Sequence, residues 1–304
     1  MQYRSLGTTG LQVSEIGFGC ASWWGQVAFS EAEALRLVHY AIDQGVTFFD
    51  TSPAYSGGNA EPRLGRALKG RDPSKLVIAT KAGTRHAQGR VQRDMSLKAI
   101  EQDVVRSLRA LGLETLPVLQ LHGPSAEELT PEFLAGLLGL KRRGLVQALG
   151  ANSFDSTTLG KIIASPVFDV LMMDFNVLRP ERKALAMAAH AAGKGVLAGM
   201  PLAMGHTGLQ VLKLRGLRDL WYAARAFKGH RRDIAQGTQF QFLHHQKVLS
   251  GSQAALAYVL SHPEISCAVV GTTRMHHLAE NISASGMCLS PDLAAKIARA
   301  QAGK

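Results

Sequence analysis

Val46-Thr47-Phe48-Phe49-Asp50-Thr51-Ser52-Pro53-Ala54-Tyr55 is the stretch whose reading decides the architecture. Residues 46–49 are apolar or β-branched and form a short run, so they read as a strand covered on both faces, as in parallel sheets. The run stops on a carboxylate, Asp50. Pro53 marks the loop beyond it, and a tyrosine follows at position 55. A carboxylate at the C-terminal end of a parallel strand is what a barrel places at its functional mouth. Taken alone, an Asp there is more often a cap or loop former, so the weight has to come from the other strand ends.

Working outward, residues 3–14 hold the turn Gly7-Thr8-Thr9-Gly10 between short alternating runs and read as a β-hairpin. Residues 16–20 are the first core strand. Ser30 with Glu33 is a capping-box pattern opening a helix to about Gln44, and its apolar positions Ala34, Leu37, Val38, Ala41 and Ile42 share one face. The alternation then repeats. Strand-type runs at 76–81, 116–122, 146–150, 169–174, 195–198 and 265–270 are separated by helix-type segments at 61–68, 96–111, 131–143, 156–164 and 180–192; a terminal helix is expected at 292–302. Eight strands in β-α alternation with mostly short connections predict a single (β/α)8 TIM barrel domain over residues 1–304. A doubly wound sheet is the competing architecture, but no Gly-x-Gly-x-x-Gly turn follows any strand.

The long loop after strand 7, residues 201–251, breaks the pattern. It carries Lys213, Arg215, Arg218, Arg225, Lys228, Arg231 and Arg232, and Leu217, Leu220, Trp221 and Ala224 have the spacing of a short amphipathic helix. Two readings stay open: a solvated lid helix, or a loop that binds an anionic substrate.

The chain has 304 residues, 46% of them hydrophobic and 19% charged, which is ample for a packed core and normal for one barrel. Cys20, Cys267 and Cys288 have no metal-type spacing, so no metal is assigned; together with the lack of an apolar leader or span they point to a cytoplasmic protein off the membrane. The formal net charge of +11 would attract an anion, but no nucleic-acid-binding signature accompanies it, and no nucleic acid is expected as partner.

Three successive strands end in ionisable groups, Asp50, Lys81 and His122, and Tyr55 lies just past the first. In a closed barrel these ends surround one mouth, where charges persist only when paired. Lys81 between Asp50 and Tyr55 would stay cationic and lower the tyrosine's pKa from ~10. A tyrosine so tuned can protonate a carbonyl oxygen as a hydride reaches the carbon, and His122 can orient that carbonyl. The hydride calls for a nicotinamide cofactor.

With these motifs in view the sequence resembles the aldo-keto reductases. The resemblance rests on Phe49-Asp50-Thr51-Ser52-Pro53-Ala54-Tyr55 with Gly57, Glu61 and Leu64-Gly65; on Ile78-Ala79-Thr80-Lys81; on Leu119-Gln120-Leu121-His122; and on Val270-Gly271-Thr272-Thr273-Arg274 leading to His277-Leu278 and Glu280-Asn281. It implies a catalytic tetrad of Asp50, Tyr55, Lys81 and His122, with Tyr55 as general acid. It also implies an extended NADPH, NADH being possible, along Gly19, Cys20, Asn152, Ser153, Met172, Pro201, Leu202, Gly271, Thr272, Thr273, Arg274, His277, Glu280 and Asn281.

The family usually holds the nicotinamide amide with a Ser-Asn pair and a Gln. Here Asn152-Ser153 has the reversed order, Met172 stands at the glutamine position, and the frequent stacking tyrosine is missing from residues 196–202. At the adenosine end Gly271, Thr272 and Thr273 open a helix, and Arg274 can meet a 2′-phosphate. Trp23 and Trp24 are expected to wall the substrate site.

The expected reaction is reduction of a small aldehyde or ketone, possibly anionic. The alternatives are a sugar or alcohol dehydrogenase running in reverse, and a cofactor-sensing regulatory subunit with little turnover.

Overall fold

The computed structural model describes residues 1–205, 207 and 231–303. The basic positions from Lys213 to Lys228 therefore lie outside the described residues, as do the side chains of Arg231 and Arg232. The chain opens with an antiparallel hairpin, β1 (Tyr3–Ser5) and β2 (Gln12–Ser14), and then alternates strand and helix: β3 (Ile16–Gly19), α1 (Glu31–Asp43), β4 (Phe48–Asp50), α2 (Ala60–Leu68), β5 (Val77–Ala82). A second hairpin, β6 (Thr84–Ala87) and β7 (Arg90–Arg93), precedes α3 (Leu97–Leu111). There follow β8 (Leu116–His122), α4 (Pro131–Arg142), β9 (Val146–Asn152), α5 (Ser156–Ala164), β10 (Val170–Asp174), α6 (Arg182–Ala191) and β11 (Gly195–Gly199). Beyond the undescribed stretch come α7 (Arg231–Gly237), α8 (Gly251–Leu260), β12 (Cys267–Val270), α9 (Met275–Ser283) and α10 (Pro291–Ala302).

Strands β3, β4, β5, β8, β9, β10, β11 and β12 pair in parallel in chain order and close into a barrel, with Ala268 to Val270 of β12 beside Ile16 to Phe18 of β3. The expected (β/α)8 TIM barrel with its N-terminal hairpin is thus the observed fold. Side chains alternate across each strand. Phe48, Val77, Ala79 and Val118 point inward to one apolar cluster, while Phe49, Ile78 and Leu119 point outward to the layer shared with the helices. Capping sets the helix starts: Ser30, Ser96, Thr130, Asp155, Ser250 and Ser290 each accept a hydrogen bond from the backbone N–H three residues on.

The N-terminal hairpin closes the barrel end away from the strand termini. Leu6 and Val13 join the interior cluster. The Arg4 guanidinium donates to the carbonyls of Leu260 (2.7 Å), Ile265 (2.9 Å) and His262 (3.2 Å) and pairs with Glu15 at 2.7 Å. Gly7 sits so close to β11 that a Cβ there would lie 2.3 Å from the Gly195 nitrogen, and its φ of +56° also favours glycine.

Helix α7, helix α8 and hairpin β6–β7 depart from the sequence reading. Helix α8 follows directly on the long connection and is missing from the expected list, because its run Ala254 to Leu260 is buried all round and shows no apolar stripe. Hairpin β6–β7 has no counterpart in the sequence reading: its residues are mostly polar and none is buried, and its turn puts Gln88, not a typical turn residue, at φ +53°.

Candidate active site

Asp50, Lys81 and His122 sit on the inner face of β4, β5 and β8 at the same end of the barrel, because each lies two or four residues beyond an inward apolar side chain of its strand. The Lys81 ammonium is fully buried and donates to both Asp50 oxygens, at 2.6 and 2.7 Å, and to the Thr51 carbonyl at 3.0 Å. Tyr55 opens a short 3₁₀ turn, Tyr55–Gly58, and the Lys81 nitrogen lies 4.8 Å from the centre of its ring. The ring meets His122 edge to face, with centroids 5.6 Å apart. The structure therefore brings Asp50, Tyr55, Lys81 and His122 together.

Burial opposes both charges of the central pair. It pushes the Asp50 carboxyl up, and it pulls Lys81 down, but the attraction of Asp50 and Tyr55 outweighs that pull and holds the ammonium above its ordinary value. Lys81 thus stays cationic beneath the phenol, to which it also hydrogen-bonds. His122 is pushed down to about 3, first by burial and then by the Lys81 charge, so it is neutral at ordinary pH. The Ser52 hydroxyl oxygen accepts from the Ala54 N–H (3.1 Å) and lies 3.3 Å from His122 Nδ1. With its oxygen so engaged, Ser52 can donate its proton to Nδ1. That tautomer leaves Nε2–H as a donor for an oxygen in the mouth.

Two residues of this network are absent from the expected set. Ser52 is one; Gln120 is the other, fully buried, its Nε2 donating to Asp50 Oδ1 at 3.2 Å. Gln120 has a legible signal: it precedes His122 by two on one strand and so shares its face.

Of the residues expected along a nicotinamide cofactor, Gly19, Cys20, Asn152, Ser153, Pro201, Leu202 and Gly271 to Arg274 end or follow barrel strands, Met172 lies within β10, and His277, Glu280 and Asn281 lie within α9. Gly19 ends β3, and a Cβ on Gly271 would lie 3.2 Å from its carbonyl oxygen. Cys20 is fully buried; burial first, then Asp50, pushes its thiol well up, and its N–H donates to the Asp50 carbonyl at 2.8 Å. Asn152 Oδ1 accepts from the Gly123 N–H at 3.1 Å, and Ser153 Oγ accepts from Asp155 N–H at 3.1 Å. Met172 is buried in the interior cluster, and Pro201 and Leu202 follow β11. Thr272, Thr273 and Arg274 lead into α9; His277 and Glu280 are half-buried and Asn281 is buried.

The adenosine-phosphate end fits an anionic group: α9 starts at Arg274 with no side-chain oxygen capping it, and Thr272 Oγ1 instead supports the Arg274 N–H at 3.1 Å. At the nicotinamide end the fit is looser, since Met172 brings a thioether where an amide would serve.

Trp23 is half-buried in the turn Ser22–Gly25, which Ser56 ties to the tyrosine turn through the Ser22 carbonyl (2.7 Å). Trp24 requires a correction. It is 1% exposed, its indole N–H donates to the Ala34 carbonyl at 3.2 Å, and its ring packs edge-on against Phe18, so it belongs to the core and has no surface to offer a substrate. Among the described residues there is no cluster of three or more His, Cys, Asp or Glu arranged to hold a metal, and no helix is long and apolar enough to cross a membrane.

Residues 15–302 match the Aldo/keto reductase family. The chain is 27% identical over 297 residues to the uncharacterized oxidoreductase YqkF of Bacillus subtilis (strain 168), covering 94% of this chain and 91% of that protein. It is 29% identical over 299 residues to L-galactose dehydrogenase of Arabidopsis thaliana, covering 93% and 88%. In fold it matches the aldo-keto reductase AKR11C1 from Bacillus halodurans, in its holo form, with a TM-score of 0.82 at 24% identity, covering 99% of this chain and 96% of that one. A family match spanning both the first barrel strand and the last helix leaves one conclusion: the chain belongs to the aldo/keto reductase family, oxidoreductases that act on small carbonyl compounds with a nicotinamide cofactor.

Proposed function

We propose that this protein reduces an aldehyde or ketone to an alcohol with NADPH, with Tyr55 as the general acid. The observation that carries the reading is the buried Lys81–Asp50 pair with its ammonium beneath the Tyr55 ring. A bound nicotinamide cofactor would supply the hydride. Tyr55 then gives its proton to the developing alkoxide oxygen, and Lys81 stabilises the phenolate left behind. His122, neutral, donates from Nε2 to the same oxygen and orients the carbonyl. Asp50 keeps Lys81 charged and in place. Asn152 and Ser153 would hold the nicotinamide end, with Met172 as an apolar wall, and Arg274 with Thr272 would hold an adenosine 2′-phosphate. Trp23, beside the tyrosine turn, would line the substrate mouth.

Oxidation of a sugar or alcohol is a second reading, favoured by the identity with L-galactose dehydrogenase; the same four residues serve it in reverse, with the tyrosinate taking the proton. An anionic substrate is supported by the net charge of +11. Reduction of a panel of neutral and anionic aldehydes with NADPH tests the reading, with Tyr55→Phe as the decisive variant. Turnover should fall by on the order of 10²–10⁴ while NADPH binding, followed by fluorescence, is retained. Wild-type turnover in that variant overturns the assignment.

A further inference from the structure

We infer that Gln120 is a fifth, positioning member of the active site: it pins the Asp50 carboxylate and so sets the proton affinity of Tyr55. The inference rests on the reading of Tyr55 as the acid. Gln120 is fully buried, and its Nε2 lies 3.2 Å from Asp50 Oδ1, the oxygen that also takes one Lys81 bond. The amide orientation follows from chemistry, since a carboxylate accepts from the NH₂ end and repels the oxygen end. Strand register builds the contact in. Lys81 stands opposite Gln120, and Gln120 opposite Gly150, where a side chain would meet the Val170 carbonyl oxygen at 2.8 Å and the Gln120 side chain at 3.3 Å. Gly150 thus leaves the room in which the glutamine lies.

Gln120 Oε1 has no hydrogen-bond partner among the described residues, so its amide is retained at the cost of an unsatisfied acceptor. An apolar residue would avoid that cost, which places the value of the side chain in its donor. The titratable groups around the Lys81–Asp50 pair are Tyr55, His122 and Glu61, each coupled to Lys81, and the buried thiols of Cys20 and Cys267, both of which feel Asp50. A donor on Asp50 disperses negative charge that would otherwise reach Tyr55 and make it a weaker acid.

The test uses Gln120→Leu and Gln120→Glu beside the wild type and Tyr55→Phe. Gln120→Leu should lower kcat on the order of tenfold with KM nearly unchanged, and should move the alkaline limb of the reduction profile upward by about 0.5–1 unit, since a pKa unit is a tenfold change in proton affinity. The ultraviolet titration of tyrosinate, taken as the difference from Tyr55→Phe, should move the same way without any turnover being measured. In Gln120→Glu the introduced carboxyl can donate only when protonated, so turnover should recover towards acid and fall along a new limb as it ionises.

A Gln120→Leu enzyme with wild-type kcat, or one whose losses come with no shift in the alkaline limb or the tyrosinate titration, overturns the proposal. Full turnover in Tyr55→Phe overturns the reading of the acid instead, and the tyrosinate titration still decides whether Gln120 acts on Tyr55.

Discussion

At the scale of single residues, the environment of each ionisable group decides its role. His122 is the clearest case: its imidazole, pushed down to about 3 from 6.5 by burial and by Lys81, cannot be the proton donor at ordinary pH. Between those two values the unfolded chain takes up a proton at this position and the native state does not, so stability falls as pH drops from 6.5 towards 3. Replacing His122 by Gln removes the titrating group. Thermal unfolding followed over that window should then show a shallower acid decline than in wild type, and an unchanged slope would contradict the neutral, desolvated imidazole. Lys81 behaves in the opposite way, kept charged by its partner. Lys81→Met should strand the Asp50 carboxylate in the interior and cost about 3–5 kcal/mol, read as a lowered Tm. Adding Asp50→Asn to that variant should restore most of the stability and none of the turnover, a separation that a purely structural ion pair would not give.

At the scale of elements, what is legible in the sequence depends on whether a segment has two different faces. Strands β4, β5 and β8 announce the site because each is a run of inward and outward apolar residues ending on a polar one, and the alternation alone puts Asp50, Lys81 and His122 on the same side. Helix α8 has no such contrast. Hairpin β6–β7 is polar on both faces, yet it is held to the site: the His86 N–H donates to the Pro53 carbonyl at 3.2 Å, and Arg93 reaches the Gly123 carbonyl at 3.3 Å. Trp24 is misplaced by sequence reasoning for a related reason, since a tryptophan pair in a loop does not say which ring turns inward; the bond to Ala34 and the Phe18 contact decide it. Helix α9 carries the prediction at this scale. At its start a positive side chain, Arg274, stands at a helix N-terminus lacking a capping oxygen of its own. Arg274→Ala should weaken NADPH by ~1.5–3 kcal/mol and NADH far less, because the guanidinium would pair with the 2′-phosphate alone. Titrations with both cofactors check this, and equal losses would put the phosphate elsewhere.

At the scale of the whole molecule, the barrel keeps its chemistry at one end and its closure at the other. Gly7 belongs to closure: any side chain there must displace the backbone at Gly193 or Gly195 and also adopt a strained φ. Gly7→Ala should therefore cost well above ~1 kcal/mol of stability, read as a lowered Tm, while kcat per folded molecule stays the same, since Tyr55 lies at the opposite end. A fall in kcat without a fall in Tm would mean that the two ends communicate. The same closure has a consequence for how the protein comes into being. Arg4 finds its acceptor at Ile265, 261 positions later, so this segment docks there only once the chain between them has been made. At ~5–20 residues per second that is a wait of roughly 15–50 s, during which Leu6 and Val13 lack Cys267, the β12 part of the cluster that buries them. The nascent chain therefore carries its own stopper uncorked until residue 265 has emerged, and a chaperone that shields residues 1–14 would act on a part of the fold that waits long for its contacts.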